Sequence, residues 1–313
     1  MTTLLVATAG GHLKQLHALR PRLDTIGSDV LWITVDTPQS RSLLGSEPVR
    51  FARPHGSRDI VATALNTQLV YRWMRELEVE TVVSTGASLA VPVFAFARRQ
   101  GARCHYIESA TRVEGPSLSG RMISRMSGTH LYTQHQWWAD DRWRYRGSIF
   151  DGFASEPRPA AALRRVLVTA GASKDYGFRR LVEGLAKTLP ADLEVTWQTG
   201  ATDVSDLGID ARPWMSAAEI AKTIEDADVV VCHAGTGSAL GCLEAGKLPI
   251  LVPRRHSLGE HVDDHQLELA AELTRRGLAL TREAGTIDMG DLEAAAAERV
   301  IRLENPATFA LDP

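Results

Sequence analysis

The chain has 313 residues, 44% of them hydrophobic, and a net charge of −3, which gives a soluble globular protein room for two ordinary α/β domains. No apolar run reaches membrane-spanning length, and the opening MTTLLVATAGGH lacks a basic segment and is broken by Gly10, Gly11 and His12 before a signal sequence could form. Cys104, Cys232 and Cys242 show no CxxC spacing, which points to buried free thiols in a reducing, cytosolic setting and not to disulfides or zinc. The charge is uneven: residues 1–158 hold 19 Lys+Arg against 14 Asp+Glu, and residues 159–313 hold 16 against 24, so the halves carry +5 and −8. A basic first half suits an anionic membrane or a phosphorylated acceptor. Overall acidity and the lack of a recognition-helix or RNA-binding motif speak against nucleic acid.

In chain order, residues 4–7 read as a first strand, 8–12 as a turn and 13–23 as a helix. His12 then lies at the carboxyl end of strand one, where open α/β sheets bind ligands. The alternation continues with a strand over 30–35, a helix over 58–77, a strand over 81–84, a glycine turn at Gly86, a helix over 90–99 and a strand over 105–107. Repeated βα units predict a doubly wound parallel sheet. From Glu108 to Tyr145 the pattern changes, and Gly115, Pro116, Ser117 and Ser119 lead into a short helix over 120–126. Its Met122, Ile123 and Met126 fall on one side and Arg121 and Arg125 on another. Such a helix packs as an ordinary surface element or, with Trp137, Trp138, Trp143, Tyr145, Arg142, Arg144 and Arg146 nearby, lies in a membrane interface.

Between 151 and 162 the composition turns to Gly, Ser, Pro and Ala, with Pro157 and Pro159 against a regular helix. The expected domains are therefore 1–155 and 156–313. A second βα series follows: strand 166–169, a turn at Gly171, Ala172 and Ser173, helix 178–189, strand 194–198 and helix 217–225. Next comes VVVCHAGTGSALGCLEAGKLPILVP, residues 229–253. It reads as strand 229–232, a turn through His233, Ala234, Gly235, Thr236 and Gly237, helix 238–245 and strand 248–252. A helix that starts from glycines offers bare N–H groups and a partial positive charge, so a nucleotide diphosphate is the expected ligand. A basic loop at Arg254 and Arg255, a helix over 264–276, a strand over 278–280 and a last helix over 292–303 complete the chain. Two α/β domains with facing glycine turns predict a cleft enzyme that takes one substrate on each domain.

Several motifs resemble glycosyltransferase family 28, the GT-B class that includes the peptidoglycan N-acetylglucosaminyltransferase making lipid II. They are HAGTGSALGCLEAGKLPILVPRR and GEHVDDHQLELA in the second half, with ATAGGH, VVSTGASLAVP, YIESATRVEGPSLSGR and YTQHQW in the first. The chain is closer still to the two-subunit enzyme that adds the second N-acetylglucosamine to dolichol-linked chitobiose and to its bacterial exopolysaccharide relatives, with acceptor and donor halves fused. The resemblance covers nearly the whole chain. It implies two Rossmann-like domains facing a cleft and an inverting transfer from a UDP-sugar to a lipid-linked saccharide, with no cofactor or metal. The protein would then sit peripherally at the cytoplasmic face of the membrane. Two departures stand out: the membrane anchor of eukaryotic acceptor subunits is missing, and the Glu that holds the ribose in many GT-B enzymes is Gly241 here. Glu244, one turn further on the same helical face, is its expected substitute.

Transfer needs a base for the acceptor hydroxyl and stabilisation of the departing diphosphate. His12 is the first candidate base, since neutral imidazole suits proton abstraction near neutral pH, and Glu108 is the second, unless it pairs with Arg112. The diphosphate falls to His233, Gly235, Thr236, Gly237 and Ser238, with Ser173 as a further contact. By resemblance Trp214 and Met215 read uracil, and His265 and Gln266 meet the donor sugar. Gly11, Arg112, Arg121 and Arg125 belong to the acceptor and membrane side. His261, Asp263, Asp264 and His265 can also be read as a metal site, but acids are favoured where a helix opens, so no metal is assigned. Asp226 and Asp228 form a D-x-D just before a strand, read as chance. Arg254 and Arg255 would suit an acidic sugar such as glucuronate. Competing readings are a UDP-sugar 2-epimerase and a non-enzymatic nucleotide-binding module.

Overall fold

A computed structural model describes residues 2–24, 26–54, 60–159, 162–171 and 176–313. The chain divides into two units, Met1–Asp151 together with Pro306–Pro313, and Gly152–Asn305. The first unit contains β1 (Thr2–Ala7), α1 (Gly11–Leu19), β2 (Val30–Val35), α2 (Pro38–Leu44), β3 (Val49–Ala52) and α3 (Ile60–Glu76). It continues with β4 (Val79–Gly86), α4 (Ala90–Ala97), β5 (Arg103–Ile107), α5 (Leu118–Ser124), β6 (Thr129–Thr133) and β7 (Trp143–Tyr145). The seven strands form one sheet in the order β3-β2-β1-β4-β5-β6-β7. All pairs in it are parallel, with Leu4 opposite both Leu31 and Val82. Leu4, Leu5, Val6 and Ala7 are fully buried, as expected of a central parallel strand covered on both faces.

Local chemistry explains where the first-unit elements depart from expectation. Helix α1 begins at Gly11 and passes into a 3₁₀ turn at Arg20–Arg22, because Pro21 has no N–H to continue the ladder. Helix α2 and strand β3 were not anticipated. Thr37 caps α2 in a reciprocal bond with Ser40, with Pro38 at the first position. The C-terminal residues do not stay with the second unit, as the 156–313 boundary had it. Phe309 is fully buried against the Tyr132 ring, its N–H donates to the Arg22 carbonyl at 2.8 Å, and Arg22 Nε donates to the Ala307 carbonyl at 2.9 Å.

The second unit runs β8 (Phe153–Pro157), β9 (Arg165–Thr169), α6 (Arg179–Thr188), β10 (Glu194–Gln198), β11 (Ala211–Arg212), α7 (Ala217–Asp226), β12 (Val229–His233) and α8 (Thr236–Glu244). It ends with β13 (Ile250–Val252), α9 (His265–Arg275), β14 (Leu280–Thr281), α10 (Met289–Ala296) and β15 (Glu298–Arg302). Six strands make a parallel sheet ordered β11-β10-β9-β12-β13-β14. The expected last helix over 292–303 is half wrong. Helix α10 stops at Ala296 and β15 pairs antiparallel with β8, Val300 opposite Ser155. Val300 is buried between exposed Arg299 and half-buried Ile301, and the adjacent β-branched Val300 and Ile301 favour a strand over a helix. The 155/156 boundary therefore falls inside β8, and the break lies at 151/152. Among the described residues no helix is long and apolar enough to cross a membrane.

Candidate functional site

In each sheet the winding reverses between its two central strands, β1/β4 in the first unit and β9/β12 in the second. The crevice at the carboxyl ends of such a pair is where open α/β sheets take ligands. In the first unit Gly10, at φ +90°, lets the chain turn from β1 into α1, which places Gly11 first and His12 second in that helix. His12 is half-buried, and its Nδ1 lies 2.7 Å from the Thr85 carbonyl at the end of β4. A carbonyl only accepts, so Nδ1 carries the hydrogen and the lone pair falls on Nε2. Thr85 Oγ1 donates back to the His12 carbonyl at 2.7 Å. Gly86, at φ +108°, closes the pocket: a Cβ there would lie 2.8 Å from the Tyr106 hydroxyl and 3.4 Å from the His12 ring.

Glu108, the second candidate base, is fully enclosed and fully engaged. Its Oε1 accepts from Ser109 N at 2.9 Å, and Oε2 accepts from Ser117 N at 2.9 Å and Ser117 Oγ at 3.0 Å. Burial raises its pKa against the pull of those bonds, and Arg112 adds only a minor stabilisation of the anion. Gly120 is needed beside it, since a Cβ there would stand 2.2 Å from Oε2. This geometry makes Glu108 an anchor for the loop into α5, not a proton acceptor for a substrate. A buried network the sequence did not reveal completes the anchor. Gln15 Nε2 donates to Ser109 Oγ at 2.9 Å, Gln15 Oε1 accepts from Ala110 N at 2.8 Å, and Gln134 Nε2 donates to the Glu108 carbonyl at 2.9 Å.

The aromatic segment is mostly structural. Trp143 is buried on β7 against Tyr106 and Trp138, Trp138 donates to the Arg112 carbonyl and Trp137 to that of Val113, and Arg144 and Arg146 pair with Asp312. Outward-facing apolar groups remain at Leu118 (74% exposed), Met122 and Trp137 (51%). Arg121 and Arg125 are exposed on and beside α5.

In the second unit the mirror arrangement appears, with the histidine now on the later strand. A Cβ on Gly171 (φ +79°) would lie 2.4 Å from His233 Cε1, and one on Gly235 would lie 2.3 Å from His233 Nε2. The two glycines thus accommodate an imidazole ring, a packing role for Gly235 that the sequence alone did not show. Burial, and then the charge of Arg254, push the His233 pKa down to about 3, so the ring is neutral. Gly235 is the N-cap of α8 and brings no capping side chain to the start of that helix. Ser173 lies outside the described residues.

The remaining donor candidates divide. Trp214 is 56% exposed after β11 while Met215 is buried, so the indole is available for stacking and is not core. Glu244 ends α8, about 12 Å along the helix from Thr236 at 1.5 Å per residue, and faces Arg302 at 3.6 Å. Gln266 is buried and its Oε1 accepts from Arg254 N at 3.1 Å, which makes it a support for the loop after β13 and not an open sugar contact. His265 bonds Asp263 through Nδ1, and ligand-capable atoms of His261, Asp263 and His265 lie within 4.8 Å of one another. Asp264, grouped with them from the sequence, instead accepts from His256 N at 2.8 Å.

Residues 165–288 match the glycosyltransferase family 28 C-terminal domain. Over 329 residues the chain is 25% identical to the UDP-N-acetylglucosamine–N-acetylmuramyl-(pentapeptide) pyrophosphoryl-undecaprenol N-acetylglucosamine transferase of Alcanivorax borkumensis, covering 95% of this chain and 90% of that protein. It is 34% identical over 152 residues to the protein of the same name from Nitratidesulfovibrio vulgaris, a match spanning 45% of this chain and only 40% of that relative. Among solved structures, Acinetobacter baumannii MurG aligns with a TM-score of 0.57 at 20% identity, over 94% of this chain and 89% of that one. The UDP-GlcNAc 2-epimerase from Methanocaldococcus jannaschii aligns with a TM-score of 0.58 at 9% identity, over 99% and 96%. At such identities both likenesses concern the fold.

Proposed function

We propose that this chain, whose residues 165–288 match the glycosyltransferase family 28 C-terminal domain and whose fold is GT-B, is a family 28 enzyme that transfers a sugar from a UDP-sugar to a lipid-linked saccharide with inversion. The observation that carries the reading is His12, whose Nδ1–H donates to Thr85 and whose Nε2 thereby holds the lone pair. The acceptor hydroxyl gives its proton to Nε2 as its oxygen bonds the anomeric carbon and the bond to the UDP oxygen breaks. Charge developing on the diphosphate is met by the first-turn N–H groups of α8, so transfer requires no metal. The exposed Trp214 stacks on the uracil.

The acceptor side is the first unit. Its +5 charge, the exposed Leu118, Met122 and Trp137, and the neighbouring Arg121 and Arg125 fit reversible attachment to the cytoplasmic face of an anionic membrane. N-Acetylglucosamine, glucuronate or a related hexose is the donor sugar. The deciding experiment incubates the protein with radiolabelled UDP-sugars and a membrane lipid extract, with and without EDTA. Label in the organic phase that survives EDTA supports the reading. A UDP-sugar isomer and no labelled lipid would assign the epimerase chemistry of the fold neighbour instead, and UDP binding without turnover would leave a regulatory module.

A further inference from the structure

Arg254 follows β13 at the carboxyl edge of the second sheet, and its charge is unlike that of its neighbours. Arg255 pairs with Glu283, and Arg180 meets Glu260 at 2.9 Å and Glu283 at 3.1 Å. Arg254 is only 2% exposed, yet among the described residues no carboxylate is within ion-pair distance of it. Its Nη2 donates to the Ala170 carbonyl at 2.8 Å, its Cζ stands 5.3 Å from the Phe178 ring centroid, and its Nε is enclosed with no partner among the described residues. Burial lowers its pKa only to about 10, so it stays a cation at neutral pH. Glu260 is near enough to favour the charged form without pairing directly, and a desolvated guanidinium lacking a direct ion pair is costly.

The position of this cation is informative. Ala170, which accepts its one side-chain hydrogen bond, directly precedes Gly171; Gly171 packs on the His233 ring, and His233 packs on Gly235, the N-cap of α8. The imidazole is neutral and contributes no compensating charge. A buried cation and a positive helix terminus therefore border the same turn, and both call for negative charge.

We propose that Arg254 is the anion-pairing residue of the donor site, its guanidinium meeting an anionic oxygen of the bound sugar nucleotide. This rests on the nucleotide-sugar reading given above and adds a residue and a donor requirement to it. Two sources offer that oxygen: the diphosphate, common to all UDP-sugars, and the carboxylate of a uronosyl sugar. The guanidinium geometry suits either.

Calorimetry with UMP, UDP, UDP-N-acetylglucosamine and UDP-glucuronate against wild type, Arg254→Met and Arg254→Gln tests this. Both variants remove the charge, and the second keeps a donor for the Ala170 carbonyl. Binding should weaken at least tenfold in both. A loss shared by UDP and both sugar nucleotides assigns the diphosphate, and a loss confined to UDP-glucuronate assigns the carboxylate. Thermal unfolding without ligand should show no loss of stability in Arg254→Met, whereas a structural role would lower the Tm and leave affinity unchanged. Wild-type affinity for all four ligands in a folded variant overturns the proposal while leaving the nucleotide-sugar reading intact. If Arg254→Met does not fold, Arg254→Gln decides alone. A wild type that binds none of the ligands overturns the underlying reading and this inference with it.

Discussion

Both units place a histidine and a glycine at the winding reversal of a parallel sheet, yet the two histidines have opposite surroundings. His12 stands on the strand-one side, half-buried, with one ring nitrogen held by a carbonyl of β4 and Gly86 packed against its ring. His233 ends the later strand, enclosed between Gly171 and Gly235, with its pKa driven to about 3. The difference shows that a histidine at a strand's carboxyl end is not by itself a catalytic signal; what the adjacent glycines face decides it. Where glycine gives room to a ring on both sides, the ring fills the turn from within. Where one ring nitrogen is fixed by a carbonyl, the lone pair has a defined place from which to act.

The largest expected effect comes from spoiling the enclosed pair. Gly235→Val puts a branched side chain into the His233 ring and should cost about 3 kcal/mol of stability in the second unit, the upper end of what overpacking does. A His233→Ala background should recover part of that cost, and urea unfolding of the four proteins of this cycle measures the coupling. Additive losses would show that the ring is not what Gly235 accommodates.

Acid should produce the next largest effect. The folded state holds His233 neutral down to about pH 3, whereas in the unfolded chain it protonates near pH 6.5, so the unfolded state binds more protons throughout that window. Stability is therefore intact above pH 6.5 and falls as pH drops below it, by up to about 2 kcal/mol from this group at pH 5. His105, whose burial brings its pKa to about 4, acts in the same direction in the first unit. His233→Gln should flatten the pH dependence of urea unfolding between pH 7 and 5, and an unchanged slope would place the ring in water.

How much of this was legible in the sequence follows the same contrast. Parallel βα units were readable because their strands are continuous apolar runs punctuated by glycine turns, and His12 and the turn at 233–237 stood out at their ends. The reason for Gly235 was not readable, since it depends on a ring two residues back folding over the turn and on Gly171, which lies on another strand. Glu108 read as a candidate base because its partners, Ser117 and the Gln15–Gln134 network, are assembled across the sheet; those two glutamines are 119 residues apart. Strand β15 was hidden behind an alanine-rich helix pattern that stops at Ala296, seven residues before the expected end at 303. Trp143 and Trp137 share one short segment, and only the fold separates the buried indole from the exposed one.

The smallest expected effect concerns the outer surface of the first unit, which neither histidine touches. Arg121→Gln on α5 should weaken binding to anionic liposomes by about 1 kcal/mol, roughly fivefold, and the effect should vanish in high salt. UDP affinity should not change. Co-sedimentation equal to wild type at low salt would remove α5 from the membrane contact.

The central claim, that His12 is the base and His233 is not, is tested most directly by separating turnover from donor binding in His12→Ala. The expected result is a kcat lower by about 10²–10⁴-fold, with the Kd for UDP within twofold of wild type, because a general base acts in the transition state and not on donor affinity. A variant that turns over at the wild-type rate, or that loses UDP binding in step with its activity, would contradict the account.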